Sequence, residues 1–300
     1  MLIKEIQEFD DLAFLAKKAM EGFISGLHSS PLKGFSVEFA EHRAYNPGES
    51  IKNLDWKLLA RTEKKYVKQF IEETNLKCHL WLDISKSMQY PDNWNKQKLG
   101  VLTTSSIMYL LQNQRDAFGL CLFNETNFEY QSDIKSTKGH LYKNIEILNN
   151  LWLKQSFLSN NAEPINWAAK CSAIKRRSMV VIISDFLWDS ENSETEFWQA
   201  LSYLHYLNCE ILLLNTFDNA TESELNFGEV PINFIDLENN QRIKLTPEEI
   251  KTSYIQQEQK RVKKIEEQSH SLGINYFQCN VSQPIEKALT EFYRQRLSLR

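Results

Sequence analysis

From Leu76 onward, short, mostly apolar runs alternate with longer stretches in which apolar positions recur at helical spacing. The runs fall at residues 76–82, 117–123, 179–183, 209–215 and 274–279, each of strand length and followed by turn-forming residues. Between them, residues 95–112 place Leu99, Leu102, Ser106 and Leu110 along one helical face. Residues 138–153 do the same with Leu141, Ile145, Leu148 and Leu151, and residues 162–175 and 194–207 give two further helices. Near-continuous apolar strands alternating with helices imply a mostly parallel sheet covered on both faces. The pattern therefore predicts a doubly wound α/β domain over residues 76–300.

The last quarter adds a small hairpin from residues 234–237 and 242–245, then a long, mostly charged surface helix. Thr246-Pro247-Glu248-Glu249 carries a capping box and a Pro at the first helical position, so that helix starts there and runs to about His270. A final helix begins at Ser282-Gln283-Pro284 and ends near Arg296. Residues 1–75 break the alternation. Residues 10–27 predict an amphipathic helix with Leu12, Leu15, Ala16, Ala19 and Phe23 on one side, followed by a polar, turn-rich stretch around Gly34, Pro47 and Gly48. This part reads as a helical and irregular N-terminal extension attached to the α/β core.

Charge and composition narrow the function classes. With 35 Lys and Arg against 39 Asp and Glu, no global field recruits nucleic acid. The longest aliphatic runs are far too short to span a bilayer, and the early acids of MLIKEIQEFDD do not suit a signal peptide. A cytoplasmic protein is expected, with room for peripheral association with membrane-bound partners. Cys78, Cys121, Cys171, Cys209 and Cys279 are widely spaced, with no C-x-x-C pair, and read as buried reduced thiols. The six histidines do not cluster, and no nucleophile–base set or phosphate-binding glycine motif is present, so no enzymatic activity, ATP hydrolysis included, is expected.

The candidate chemistry lies at two strand ends. HLWLD ends at Asp83 and VVIISD at Asp185, and in an open parallel sheet ligands bind outside the carboxyl ends of the strands. Ser85 and Ser87 crowd the first acid, giving D-x-S-x-S, and Ser184 adjoins the second. Such a turn suits Mg²⁺, which takes oxygen ligands, keeps several waters and is usually held by one or two carboxylates. The metal-ligand set is then Asp83, Ser85, Ser87 and Asp185, with an open position for a partner's carboxylate. The alternative is a strand-end turn in which Asp83 and Ser85 merely cap the next helix.

This arrangement resembles the metal-ion-dependent adhesion site of von Willebrand factor A-like domains. The block before it, residues 34–73, is similar to the signature of the domain-of-unknown-function family (number fifty-eight) associated with MoxR-type AAA+ ATPases. The matching positions are Glu38-Phe39, Arg43, Tyr45, Pro47-Gly48-Glu49, Asp55-Trp56, Ala60-Arg61, Val67, Phe70 and Glu73. The resemblance implies a von Willebrand factor A-like fold and action beside an AAA+ ATPase in chaperone-like assembly. It also implies a Thr ligand on the loop before the helix at 162–175, and residues 158–164 contain none. Ser159 or Glu163 could stand in, or Thr137 if the loop lies elsewhere. A missing hydroxyl leaves a weaker Mg²⁺ site, filled when a partner carboxylate completes it.

Within residues 43–68, basic residues outnumber acids seven to three and are interleaved with Tyr45, Trp56 and Tyr66. Basic residues mixed with aromatics can bind single-stranded nucleic acid. The acidic whole and the family resemblance favour a protein-docking surface of Arg43, Tyr45, Asp55, Trp56 and Arg61. The leading expectation is a non-enzymatic adaptor for a MoxR-type AAA+ ATPase or its client. The alternative is a Mg²⁺-dependent phospho-acceptor or phosphohydrolase with Asp83 as nucleophile, against which Ser85 stands where a second acid is needed.

Overall fold

A computed structural model of the chain describes residues 11–28, 42–44, 56–62, 66–68, 76–92, 94–153, 162–188, 190–235, 237 and 241–298. The chain divides into two compact units, residues 26–75 and the remainder. The smaller unit contributes the antiparallel pair β1 (His42–Ala44) and β2 (Tyr66–Lys68), with a short helix between them at Trp56–Thr62.

The larger unit is built on a sheet of β3 (Lys77–Asp83), β4 (Ala117–Phe123), β5 (Asn127–Gln131), β6 (Glu163–Pro164), β7 (Met179–Ser184), β8 (Glu210–Phe217) and β11 (Asn275–Asn280). Its order is β11-β8-β7-β3-β4-β5-β6. The five strands from β11 to β4 are parallel, while β5 and β6 add an antiparallel edge. This is the doubly wound, mostly parallel sheet expected from the apolar runs. Both β5 and β6 escaped the sequence pattern. β5 is half polar and β6 is two exposed residues long, so neither carries the run of apolar side chains that marks a doubly covered strand.

Each face of the sheet has its own helices. Alternate residues Trp81, Val180, Ile182, Ile211 and Leu213 belong to one apolar core with Trp167, Phe197, Leu201, Leu204 and Ile265. Those last residues come from helices Trp167–Ser172, Glu191–Tyr206 and Pro247–Ser271. Trp167 is the hub of this core, with ring centroids 5.2 to 5.6 Å from Trp81, Phe123, Phe128 and Phe197. On the other face, helix Lys96–Asn113 presses so close that a Cβ on Gly100 would sit 2.7 Å from Leu82 Cδ1. That helix is buried on nearly every side because it is wedged among the sheet, helix Lys138–Trp152 and the C-terminal helix Glu286–Ser298.

Helix Leu12–His28 buries Leu12, Leu15, Ala16, Ala19 and Phe23, the face read from the sequence, and Phe23 meets Tyr293 edge-on. Through Ser25 it groups with the larger unit. Three details differ from the sequence pattern. The helix expected over 162–175 is confined to Trp167–Ser172, because residues 163–164 join the sheet edge. The hairpin pairs β9 (Ile232–Ile235) with β10 (Arg242–Leu245), two residues earlier than expected in its first strand. Helix Pro247–Ser271 starts where predicted, but the Thr246 side chain makes no capping bond. All five cysteines are buried, and no disulfide joins them.

Candidate functional site

β4 is laid down on one side of β3 and β7 on the other, so the ends of β3 and β7 mark the point where the chain reverses its direction of winding. A crevice opens outside the carboxyl ends of strands at such a point. Asp83 is the last residue of β3, and Asp185 follows Ser184 at the end of β7. Asp83, Ser85, Ser184 and Asp185 are all buried.

Asp83 is held at both oxygens. Its Oδ1 accepts from the Ser85 backbone N–H at 2.8 Å, and its Oδ2 accepts from the Ser184 hydroxyl at 2.6 Å. Ser184 Oγ in turn accepts the Phe186 N–H at 2.9 Å. Phe186 has a φ of +52°, a left-handed conformation that is uncommon for a bulky residue and tends to mark functional turns. Its buried ring fixes the turn in the core, and its carbonyl and that of Asp185 accept from Arg261 Nη1 at 3.1 and 3.2 Å.

Ser85 is not spent on capping. Ser85 precedes the 3₁₀ turn Lys86–Gln89 without a side-chain cap bond, and helix Lys96–Asn113 is capped by Asn95, whose Oδ1 accepts the Lys98 N–H at 2.8 Å. The hydroxyl oxygens of Ser85 and Ser87 lie 3.1 Å apart.

A lysine that the sequence reading passed over completes the arrangement. Lys96 Nζ donates to Asp185 Oδ2 at 2.8 Å and to Glu222 Oε1 at 2.5 Å. Glu222 lies on the π turn Asn219–Ser223 that follows β8, and its Oε2 accepts the Asp218 N–H at 2.7 Å. One signal was available: Lys96 stands at the first position of its helix, where a cation opposes the helix dipole. Such a local violation points to a partner elsewhere in the fold. Arg261 and Glu222, within charged stretches, carried no comparable mark.

Burial, reinforced by neighbouring Asp185, pushes the Asp83 carboxyl up to about 7, against the opposing bonds from Ser184 and Ser85. Burial alone would lower the Lys96 ammonium, but Asp185 and Glu222 outweigh it and hold the group above its ordinary value. Burial also lifts the Glu222 carboxyl above its usual range in spite of Lys96. Lys96 thus answers Asp185 and Glu222, and among the described residues no basic side chain pairs with Asp83.

The Asp83 side fits a hard divalent cation. Oxygens bound at right angles to Mg²⁺ at about 2.1 Å lie about 3 Å apart, which is the spacing of the Ser85 and Ser87 hydroxyls. The Asp185 side is different, since Oδ2 already faces Lys96 and Oδ1 accepts the Leu187 N–H at 3.3 Å. Among the described residues no three His, Cys, Asp or Glu side chains gather as a metal-holding group, so an ion here depends on the hydroxyls.

Of the replacements for the loop Thr, Ser159 lies outside the described residues and Glu163 is exposed in β6. Thr137 is at the opposite end of the sheet, beyond the Phe118–Lys135 bridge, and caps helix Lys138–Trp152. In the smaller unit, Arg43 pairs with Val67 in the strand ladder, Trp56 opens the short helix and Arg61 is exposed near its end. Tyr45 and Asp55 lie outside the described residues.

Uncharacterised proteins of Mycobacterium tuberculosis and Mycobacterium bovis are 25% identical over 181 residues, 59% of this chain and 55% of theirs. The chain thus spans about half the length of these relatives. Among solved structures, BatB of Bacteroides thetaiotaomicron aligns at 13% identity and a TM-score of 0.39, over 74% of this chain and 98% of that one. An aerotolerance-related membrane protein of Bacteroides fragilis aligns at 14% identity and a TM-score of 0.41, over 72% and 97%. No helix among the described residues is long and apolar enough to cross a membrane. The sequence model of one family, described as protein of unknown function DUF58, matches residues 41–264, and the chain belongs to that family.

Proposed function

We propose that the chain is a non-enzymatic adaptor that docks acidic side chains of a protein partner at the carboxyl ends of β3 and β7. One observation carries this reading: Asp83, Ser85, Ser87 and Asp185 converge at the switch point of the sheet, with the buried Lys96 ammonium beside them. When bound there, Mg²⁺ would be held by Ser85 and Ser87 with Asp83, and Asp185 behind, and would supply positive charge for a partner carboxylate. The partner proposed is a MoxR-type AAA+ ATPase or its client, a role supported by the signature residues Arg43, Tyr45, Asp55, Trp56 and Arg61.

A nucleophilic role for Asp83 finds less support. Phosphotransfer sites of the D-x-D type need a second acid, and here Ser85 stands in its place with its hydroxyl 3.1 Å from that of Ser87. Co-purification tests the docking reading. The tagged chain should capture a MoxR-type ATPase from its own cell extract in Mg²⁺, and Asp83→Ala or Ser85→Ala should lose it. Unchanged capture by both variants overturns the proposal.

A further inference from the structure

The ligands of Lys96 are unequal. The Lys96 side chain is 1% exposed and that of Asp185 4%, whereas Glu222 is 21% exposed and is the member of the trio that reaches solvent. Asp185 is anchored from behind by the Leu187 N–H and, through its carbonyl, by Arg261. Glu222 belongs to a five-residue turn outside the sheet, tied to it through the Asp218 N–H, while Asp218 Oδ2 accepts from Thr221. The phenols of Tyr90 and Tyr254 lie within electrostatic reach of both Lys96 and Glu222.

We propose that Lys96 is a carboxylate-binding position of the strand-end site, which Glu222 fills in the free chain in place of an acidic side chain of the partner. The inference rests on the docking function proposed above and names a second position, beside the ion, that receives an acid of the partner. Without Glu222 the buried Lys96 ammonium keeps only Asp185, so loss of Glu222 with no carboxylate in its place is disfavoured. Exchange for another carboxylate keeps the charge paired throughout. The released Glu222 regains the hydration that burial withholds, the same cost that lifts its carboxyl above the usual range. Exchange is therefore close to balanced, and a partner's other contacts decide it.

Chemical rescue tests the position. Glu222→Ala opens a space beside Lys96 and should lower the melting temperature. Propionate should restore at least half of that loss, while neutral propionamide should not. Neither compound should act on the wild type or on the Lys96→Met, Glu222→Ala double variant. Propionate doing no more than propionamide overturns the proposal. The stand-in role is read separately with Glu222→Gln, which keeps the side-chain length and the bond from Asp218. It should capture several-fold more of the ATPase than the wild type. If Asp83→Ala loses capture while Glu222→Gln captures no more than wild type, docking stands and the stand-in role falls. If Asp83→Ala captures normally, docking falls, and propionate still decides whether Lys96 takes a carboxylate.

Discussion

Ser184 Oγ donates to Asp83 Oδ2 at 2.6 Å across 101 positions of sequence, tying the end of β7 to the end of β3. The same oxygen accepts the Phe186 N–H, so one hydroxyl serves a buried carboxylate and a left-handed turn together. Ser184→Ala strands both groups in a buried site. Leaving a buried polar group unpaired costs about 1–3 kcal/mol, and urea unfolding of the variant should show a loss in that range. A loss below that range would mean that the turn is held by Arg261 alone.

Lys96→Met should be costlier. Removing one partner of a buried ion pair typically costs about 3–5 kcal/mol, whereas replacing the whole set by neutral groups is often tolerated. Adding Asp185→Asn and Glu222→Gln to Lys96→Met should therefore recover much of the lost stability in the same urea experiment. No recovery would indicate that packing of the lysine stem, not its charge, matters.

Asp83 gives a metal test with a definite sign. Its folded pKa of about 7 lies above the ordinary 3.8, so the contribution to stability is complete below pH 3.8 and lost as pH rises through 7. Above pH 7 the ionised carboxylate is buried without a cation, and a bound ion gains most there. Mg²⁺ at a hundredfold excess over its Kd should add roughly 2.7 kcal/mol. Calorimetry should show a larger Mg²⁺-induced rise at pH 8 than at pH 5.5, and Asp83→Asn should erase the difference.

His79 works in the opposite direction. Burial, with help from Lys170 and Lys77, brings its imidazole down to about 4 from 6.5. The neutral form is favoured in the fold, so this stability is complete above pH 6.5 and lost as pH falls toward 4. The denaturant midpoint of the wild type should drop across that window, and that of His79→Gln should drop less. Parallel curves would place the acid sensitivity on another group.

Where burial on both sides of the sheet demands apolar runs, the strands were legible: 117–123 is β4 to the residue, and residues 179–183 lack one residue of β7. The antiparallel edge was not, because β5 and β6 face solvent in part and mix polar with apolar positions. The site shows the same divide. Asp83, Ser85, Ser87 and Asp185 announce themselves as polar residues abruptly ending apolar strands. Glu222 and Arg261 reach the site only through the long-range docking of a turn and a surface helix, which no local spacing encodes.

The five buried thiols make the fold its own reporter. Burial pushes Cys171 up to about 12 and raises Cys121, Cys209 and Cys279 as well, so these four are poor thiolates while the chain stays folded. Cys78 and Cys121 sit in neighbouring central strands, and Cys279 lies in the last strand of the sheet. A thiol-labelling reagent applied to the native protein therefore keeps time on its opening: the order in which the cysteines react records whether the sheet peels from its β11 edge or parts at its centre.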